Sequence, residues 1–384
     1  MQETQQLQKS NQHKCPYCGG NLEFSAETGN LTCSYCGESV EIVRDKDVRE
    51  RDFSEMKNQM PEWSQTQVES YRCKNCGAET IFAKNEIATK CPFCASSVVL
   101  DKSEIKTIKP DTVMPFEVDN ETARKALLKW RKKRWLAPNK FRRIIEIDEM
   151  RGVYHPTWTF DSATTTHYRG RLGKRRTRRV GIGKNARTET YVEWFFVSGT
   201  IKNLFDDIVI LANEKIDSKY VSDLEPFPQE KYCVYSDEYL AGYAASNYTV
   251  PPEQAYERAK ARMDSIIRKQ IKDKHHADEG EESLHLDTTF ESQSFKYVML
   301  PIYVSATSYK SKLYNQYVSG VFTKKGKDDK NVKVAGKSPL SWWKVLLLAL
   351  GGLAVACALV YFDSVADAQT AQLITEGVKN LIIG

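Results

Sequence analysis

Eight of the ten cysteines fall in four CxxC pairs: Cys15/Cys18, Cys33/Cys36, Cys73/Cys76 and Cys91/Cys94. In the first set, CPYCGGNLEFSAETGNLTCSYCG, fourteen residues separate the pairs, and CKNCGAETIFAKNEIATKCPFC repeats that spacing 58 positions on. Two residues between cysteines let both thiolates of a pair face one ion from a single tight turn. Two such knuckles complete a tetrahedral four-sulfur shell, which zinc accepts readily. Pro16 and Pro92 preset the turns, and Gly19, Gly37 and Gly77 can take the positive φ that closes them. The expectation is two zinc ribbons holding two structural Zn2+ ions. A closed shell has no open position for water or substrate, so these ions fold the chain and do not catalyse. A disulfide framework is disfavoured by the length of the chain and by the absence of a secretory signal peptide.

Other chemistry is sparse. The chain contains no GxSxG, no HExxH and no GxxxxGK[ST], and GIGK near Gly181 lacks a strand–loop–helix setting. Among the six histidines, His155 precedes a strand proline and reads as packed, while His275 and His276 lie in a polar loop. Asp206-Asp207 reads as a turn after IKNLF, and Cys233 as core. No catalytic set and no cofactor-binding set assembles, and the expectation is a protein that is not an enzyme.

The elements that must carry the cysteines come next. The 384 residues, 28% charged and 41% apolar, suffice for two or three domains. Zinc ribbon 1 (13–45) holds, from Cys15 to Asp45, Glu23, Glu27, Glu38, Glu41 and Asp45 against Arg44 alone, which makes it a poor binder of phosphates and a better protein-docking unit. A charged linker helix (46–70) leads to zinc ribbon 2 (71–105). The body (110–326) has two helical patterns, NETARKALLKWRKKRW, which Asn120 can cap, and PPEQAYERAKARMDSIIRKQI. The aromatic, β-branched strands GVYHPTWTF and KYVMLPIYVSA follow one each. The repeated order reads as a duplicated helix-plus-β-hairpin.

The first hairpin is the longer, and its excess holds nine basic residues and no acid: Arg169, Arg171, Lys174, Arg175, Arg176, Arg178, Arg179, Lys184 and Arg187. Such a basic loop at a hairpin tip fits four roles, which stay open here. It is a solvated mobile loop, a contact with anionic lipid, a nucleic-acid-binding arm or a site for an acidic protein.

A Lys-rich juxtamembrane stalk (327–341) precedes WWKVLLLALGGLAVACALVYF (342–362), uncharged from Val345 to Phe362. About 20 apolar residues cross a bilayer as a helix, so the run reads as a transmembrane helix. Lysines before the run place the long N-terminal part in the cytoplasm by the positive-inside rule, leaving a short extracytoplasmic tail (363–384). The expected class is therefore α+β, with two ribbons, a duplicated body and one C-terminal span, in a single-pass protein of the cell membrane.

The ordered set of two CPxCG-type ribbons, KPDTVMPFEVDNETARKALLKW, GVYHPTWTFDSATTTHY, LEPFPQEKYCVYSDEYLAGYAASNY, YVMLPIYV and an apolar C-terminal run covers most of residues 15 to 362. It resembles the bacterial TFIIB-type double zinc-ribbon membrane proteins (YdjG-like), often labelled PriA-like, primosomal or phage replication proteins. The resemblance implies a membrane-anchored adaptor in envelope-stress modules, beside PspA-type and SPFH-type membrane proteins, with only the eight ribbon cysteines carried over. Recruitment of partner proteins at the inner leaflet is the function expected, with a membrane-tethered nucleic-acid-binding protein as the alternative.

Overall fold

The computed structural model describes residues 14–57, 68–83, 91, 93–94, 101–102, 108–143, 150–182, 186–214, 216, 218–310, 312–323, 328–355 and 357–358. Ribbon 1 is a small antiparallel sheet of β1 (Leu22–Phe24), β2 (Leu31–Cys33) and β3 (Ser39–Val40). Within the linker, β4 (Arg51–Asp52) pairs with a distant strand and Phe53–Lys57 form a 3-10 turn, while residues 58–67 lie outside the described set. Ribbon 2 supplies β5 (Val68–Arg72), β6 (Glu79–Ala83) and β7 (Asp101–Lys102). The body follows with β8 (Thr112–Val113), α1 (Asn120–Lys133), α2 (Asn139–Arg143), β9 (Arg151–Val180), β10 (Arg187–Leu211) and α3 (Ser218–Leu224). It ends with β11 (Cys233–Val234), β12 (Ala244–Ser246), α4 (Pro252–Lys274), β13 (Glu281–Tyr309), β14 (Lys312–Ser319) and β15 (Val334–Gly336).

α1 starts one residue before the expected cap. The Asp119 carboxylate, with extended backbone, accepts the Thr122 N–H at 2.7 Å, and Asn120 is already helical. Its apolar stripe, Ala123, Ala126 and Leu127, is buried. α4 opens on Pro251 and Pro252, where a missing N–H costs nothing. Ala255, Tyr256, Ala259, Met263, Ile267 and Ile271 recur at helical spacing and lie buried against β9 and β10.

The expected α+β class is corrected by the strands. α1 precedes the β9–β10 hairpin and α4 precedes β13–β14, but the hairpins do not stay in separate units. β9 and β13 pair antiparallel from Arg151↔Val304 to Leu172↔Glu281. That pairing merges both into one twelve-stranded sheet, which makes the architecture mainly β. β9 runs for 30 residues and β13 for 29, lengths that a helix-led reading does not anticipate. Ribbon 2 belongs to the same sheet: β6 pairs with β12, and β12 runs parallel to β9. Around this junction Trp158 stacks on Tyr297 at 4.5 Å, and its indole N–H donates to Val250 O at 2.9 Å. That bond satisfies a donor which burial would otherwise leave costly.

The expected single-pass span and the cell-membrane location drawn from it are corrected too. Among the described residues no helix is long and apolar enough to cross a membrane. The described part of the apolar run is helical over 342–355 and at 357–358. Residues 359–384, which include the end of the expected span and all of the tail, lie outside the described residues. Lys344 at the helix start donates to Trp135 O and Ala137 O beyond α1, at 2.9 and 2.8 Å. Part of the segment read as a stalk is sheet, since β15 pairs with β14.

Candidate metal centres and the hairpin arm

The two cysteine sets are assembled by the same local geometry. The Cys15 N–H donates to Gly20 O and the Gly19 N–H to Cys15 O; Cys73, Gly77 and Ala78 repeat the arrangement in ribbon 2. Gly19, Gly37 and Gly77 sit at φ 72°, 75° and 66°, where a side chain would be strained. In ribbon 1 the sulfurs of Cys15 and Cys36 lie 3.6 Å apart and those of Cys18 and Cys33 3.5 Å. In ribbon 2 Cys73–Cys94 and Cys76–Cys91 are both 3.7 Å. Four sulfurs at about 2.3 Å from one zinc ion stand roughly 3.8 Å apart in a tetrahedron, so both sets fit that ion. All four sulfurs of each set converge within 4.8 Å. All ten cysteines are free thiols. Backbone N–H groups of Cys36 and Tyr35 aimed at the Cys33 sulfur pull that thiol down, while crowding by the neighbouring sulfurs pushes Cys36 up.

The ribbons differ in how they are held. Cys73, Cys91 and Phe93 of ribbon 2 lie in a buried cluster with Met114, Val153, Leu211 and Val298 of the body. The Phe93 ring meets the fully buried His155 edge-on at 5.8 Å, and burial pushes that imidazole down to about 3. His155 is therefore neutral packing under a knuckle. Ribbon 1 is held by packing rather than by strand pairing: Leu22, Phe24, Leu31 and Ile42 share a buried cluster with Tyr239, Leu240 and Ala241 of the body. Phe24 packs edge-on against Tyr239 and Tyr243 at 5.4 and 6.2 Å and donates its N–H to Ala241 O. At its outer end Tyr17 and Tyr35, the third residue of each knuckle, are 74% and 86% exposed.

The basic segment is strand, not loop. β9 and β10 stay paired out to Val180↔Arg187 and form the edge of a projecting arm with β13. Residues 183–185, and so Lys184, lie outside the described residues. Many of the arginines meet acids. Arg171 pairs with Glu282 at 2.5 Å, Arg176 with Glu193 at 2.8 Å, and Arg178 and Arg187 with Glu189 at 3.3 and 2.8 Å; Arg175 pairs with Glu279. Among the described residues Arg169, Lys174 and Arg179 form no ion pair.

A third cluster escaped the sequence reading. β10 bulges between Phe205 and Ile208, and β13 between Glu291 and Ser294. The bulges bring Asp206 and Asp207 beside Asp161, with Lys296 between them. The Lys296 ammonium sits 2.8 Å from Asp207 and 3.2 Å from Glu50. With a cation already in place, this is an ion-pair network at the base of the arm. Nothing in the sequence marks it, because its members come from three strands and the linker.

The chain is 30% identical over 339 residues to the "Uncharacterized protein YdjG" of Bacillus subtilis (strain 168), across 87% of this chain and 91% of that one. The chain belongs to the YdjG family. No family model and no solved structure matches it. Together with the two converging cysteine sets, this kinship makes the family member a protein with two zinc-ribbon-like four-cysteine centres.

Proposed function

We propose that the chain is an adaptor rather than an enzyme, with TFIIB-type ribbons that hold structural zinc and with ribbon 1 as the docking site for a partner protein. The observation that carries the reading is the outer end of ribbon 1, where both knuckles place a tyrosine in solvent on an acid-rich unit. Tyrosine is a favoured interface anchor, because it offers a large rigid contact and one hydrogen bond. The net negative charge selects a partner with a basic face. An adaptor reading is supported by three ion pairs in which ionisable groups are spent on one another: Arg51 on Asp111 at 2.6 Å, Arg262 on Glu225 at 2.6 Å and Lys296 on Asp207. PspA-type and SPFH-type proteins, the partners implied by the resemblance, are the first to test, and envelope stress is the setting proposed.

The test is crosslinking in living cells followed by recovery of the full chain, with Tyr17→Ser/Tyr35→Ser as the variant. Both side chains face solvent, so zinc content should stay at two ions per chain. Loss of a PspA-type or SPFH-type protein from the variant alone supports the reading. Equal recovery by both chains, or recovery of neither partner type by the wild type, overturns it.

A further inference from the structure

Side chains alternate between the two faces of the arm. On one face Tyr168, Leu172, Val197 and Leu284 are buried within the core that α4 covers, and the Tyr168 hydroxyl meets His275 Nε2 at 3.0 Å. The other face, across β10, β9 and β13, is open. A solvent-facing strand is ordinarily polar, yet here Phe196 and Leu204 are each 82% exposed and Trp194 37%. Large apolar groups left together in solvent mark a site of interaction. Their neighbours on the central strand are cations. Arg171 stands opposite Phe196 in register, with its guanidinium 5.3 Å from the ring centre, and Arg169 and Arg175 flank it on the same face. Beside Phe196 a recess of about 440 Å³ is lined by Arg169, Ser198, Ser283 and His285.

We propose that this open face binds single-stranded RNA, with bases stacked on Phe196 and Trp194 and phosphates on the arginine row of β9. Residues two apart on a strand are separated by about 6.8 Å, so along β10 and β9 Trp194 faces Gly173, Phe196 faces Arg171 and Ser198 faces Arg169, which sets the two aromatic rings beside a row of two arginines displaced by one step. An extended single strand advances by about one nucleotide over that distance, and aromatic rows beside cations are how such strands are held. A duplex hides the ring faces that this surface needs. Ser198, Ser283 and His285 give the recess two hydroxyls and an imidazole, which suit a base edge and a ribose 2′-hydroxyl and are wasted on an acyl chain. The carboxylates of Glu282 and Glu279 hold Arg171 and Arg175 in place at exposed positions, where such a pair contributes little, and a phosphate can take over either guanidinium.

The test is fluorescence anisotropy of the zinc-loaded full chain with a labelled oligouridylate of about 12 nucleotides, a length within the usual site sizes. Three arginines predict a slope of about −2 for log affinity against log salt. Phe196→Ala should weaken binding by about 5- to 100-fold, Phe196→Trp should retain it, and Arg169→Gln should reduce the slope by about 0.7. Phe196 lies in solvent, so its variants should unfold at the wild-type urea midpoint. No binding at low salt, unchanged affinity in Phe196→Ala, or equal affinity for oligothymidylate would each overturn the assignment. So would Phe196-dependent sedimentation with phosphatidylglycerol vesicles in the absence of RNA binding.

Discussion

Lys296→Met tests what holds the base of the arm. The Lys296 side chain is 7% exposed and its ammonium stands 2.8 Å from Asp207, itself 6% exposed, and 3.9 Å from Asp161. Asp161 accepts the Asp207 backbone N–H at 2.6 Å and the Ser294 hydroxyl at 3.0 Å, so one carboxylate joins the β10 bulge to the β13 bulge. Methionine fills a similar volume and removes only the charge. Breaking a buried pair by removing one partner costs about 3–5 kcal/mol, because the remaining charge loses its compensation. The deficit depends on pH in a defined direction. Burial raises the Asp161 carboxyl from 3.8 to about 6, against the opposing pull of the Asp207 N–H and of Lys296. A folded value above the unfolded one stabilises the fold fully below about 3.8, and that gain is lost as pH rises through about 6; the span corresponds to roughly 3 kcal/mol. Removing the ammonium raises this carboxyl further, so protonation rescues the variant more than the wild type. Urea unfolding followed by tryptophan fluorescence should give a deficit of about 4 kcal/mol at pH 8, falling by at least about 1 kcal/mol at pH 5. A deficit below about 1 kcal/mol at pH 8, or the same deficit at both pH values, would refute the reasoning.

Two further outcomes bear on the ribbons and on α1. Elemental analysis should find two zinc ions per chain, falling to one in Cys18→Ser and to one in Cys76→Ser; only Cys76→Ser should speed amide exchange in β12, which pairs with β6, and equal exchange in both variants would contradict the joined sheet. Asp119→Ala should cost about 1 kcal/mol of stability in urea and Asp119→Ser much less, since the serine hydroxyl also accepts the Thr122 N–H.

The cysteines were legible in the sequence because each knuckle is local: four residues carry the ligands, the turn and the closing glycine. The arm was not legible, for the opposite reason. RGRLGKRRTRR has no apolar alternation, and what makes it strand is its pairing with β10 and β13. The glutamates that face its arginines lie as far off as Glu279 and Glu282. The strand signal was present nearby, in the alternation Val192, Trp194, Phe196, but such alternation ordinarily marks a buried face, and here it marks the open one. Helical periodicity located α1 and α4, yet the class of the chain was decided by β9 with β13, a register that only tertiary contact specifies. The apolar run ending at Phe362 reads as a span on composition alone, whereas the described helix begins where Lys344 binds the carbonyls beyond α1, a contact that only the fold supplies.

The two ribbons are held to the body by different means. Ribbon 2 cannot shift without breaking β6 from β12, and β12 lies beside β9 at Val153 and Tyr154, at the root of the arm. A metal held by its four cysteines would therefore support the strand that carries the arginines. Ribbon 1 has its own three-stranded sheet and meets the body through the Phe24 and Asp45 backbones, the edges of Tyr239 and Tyr243, and a buried cluster in which Leu22, Leu31 and Ile42 join Tyr239, Leu240 and Ala241. Tyr17 and Tyr35 lie outside that buried cluster, at 74% and 86% exposure, so contacts made there need not disturb it. The proposed docking site on ribbon 1 and the proposed RNA-binding face of the arm rest on different elements, so variants of one surface should leave the other unaffected.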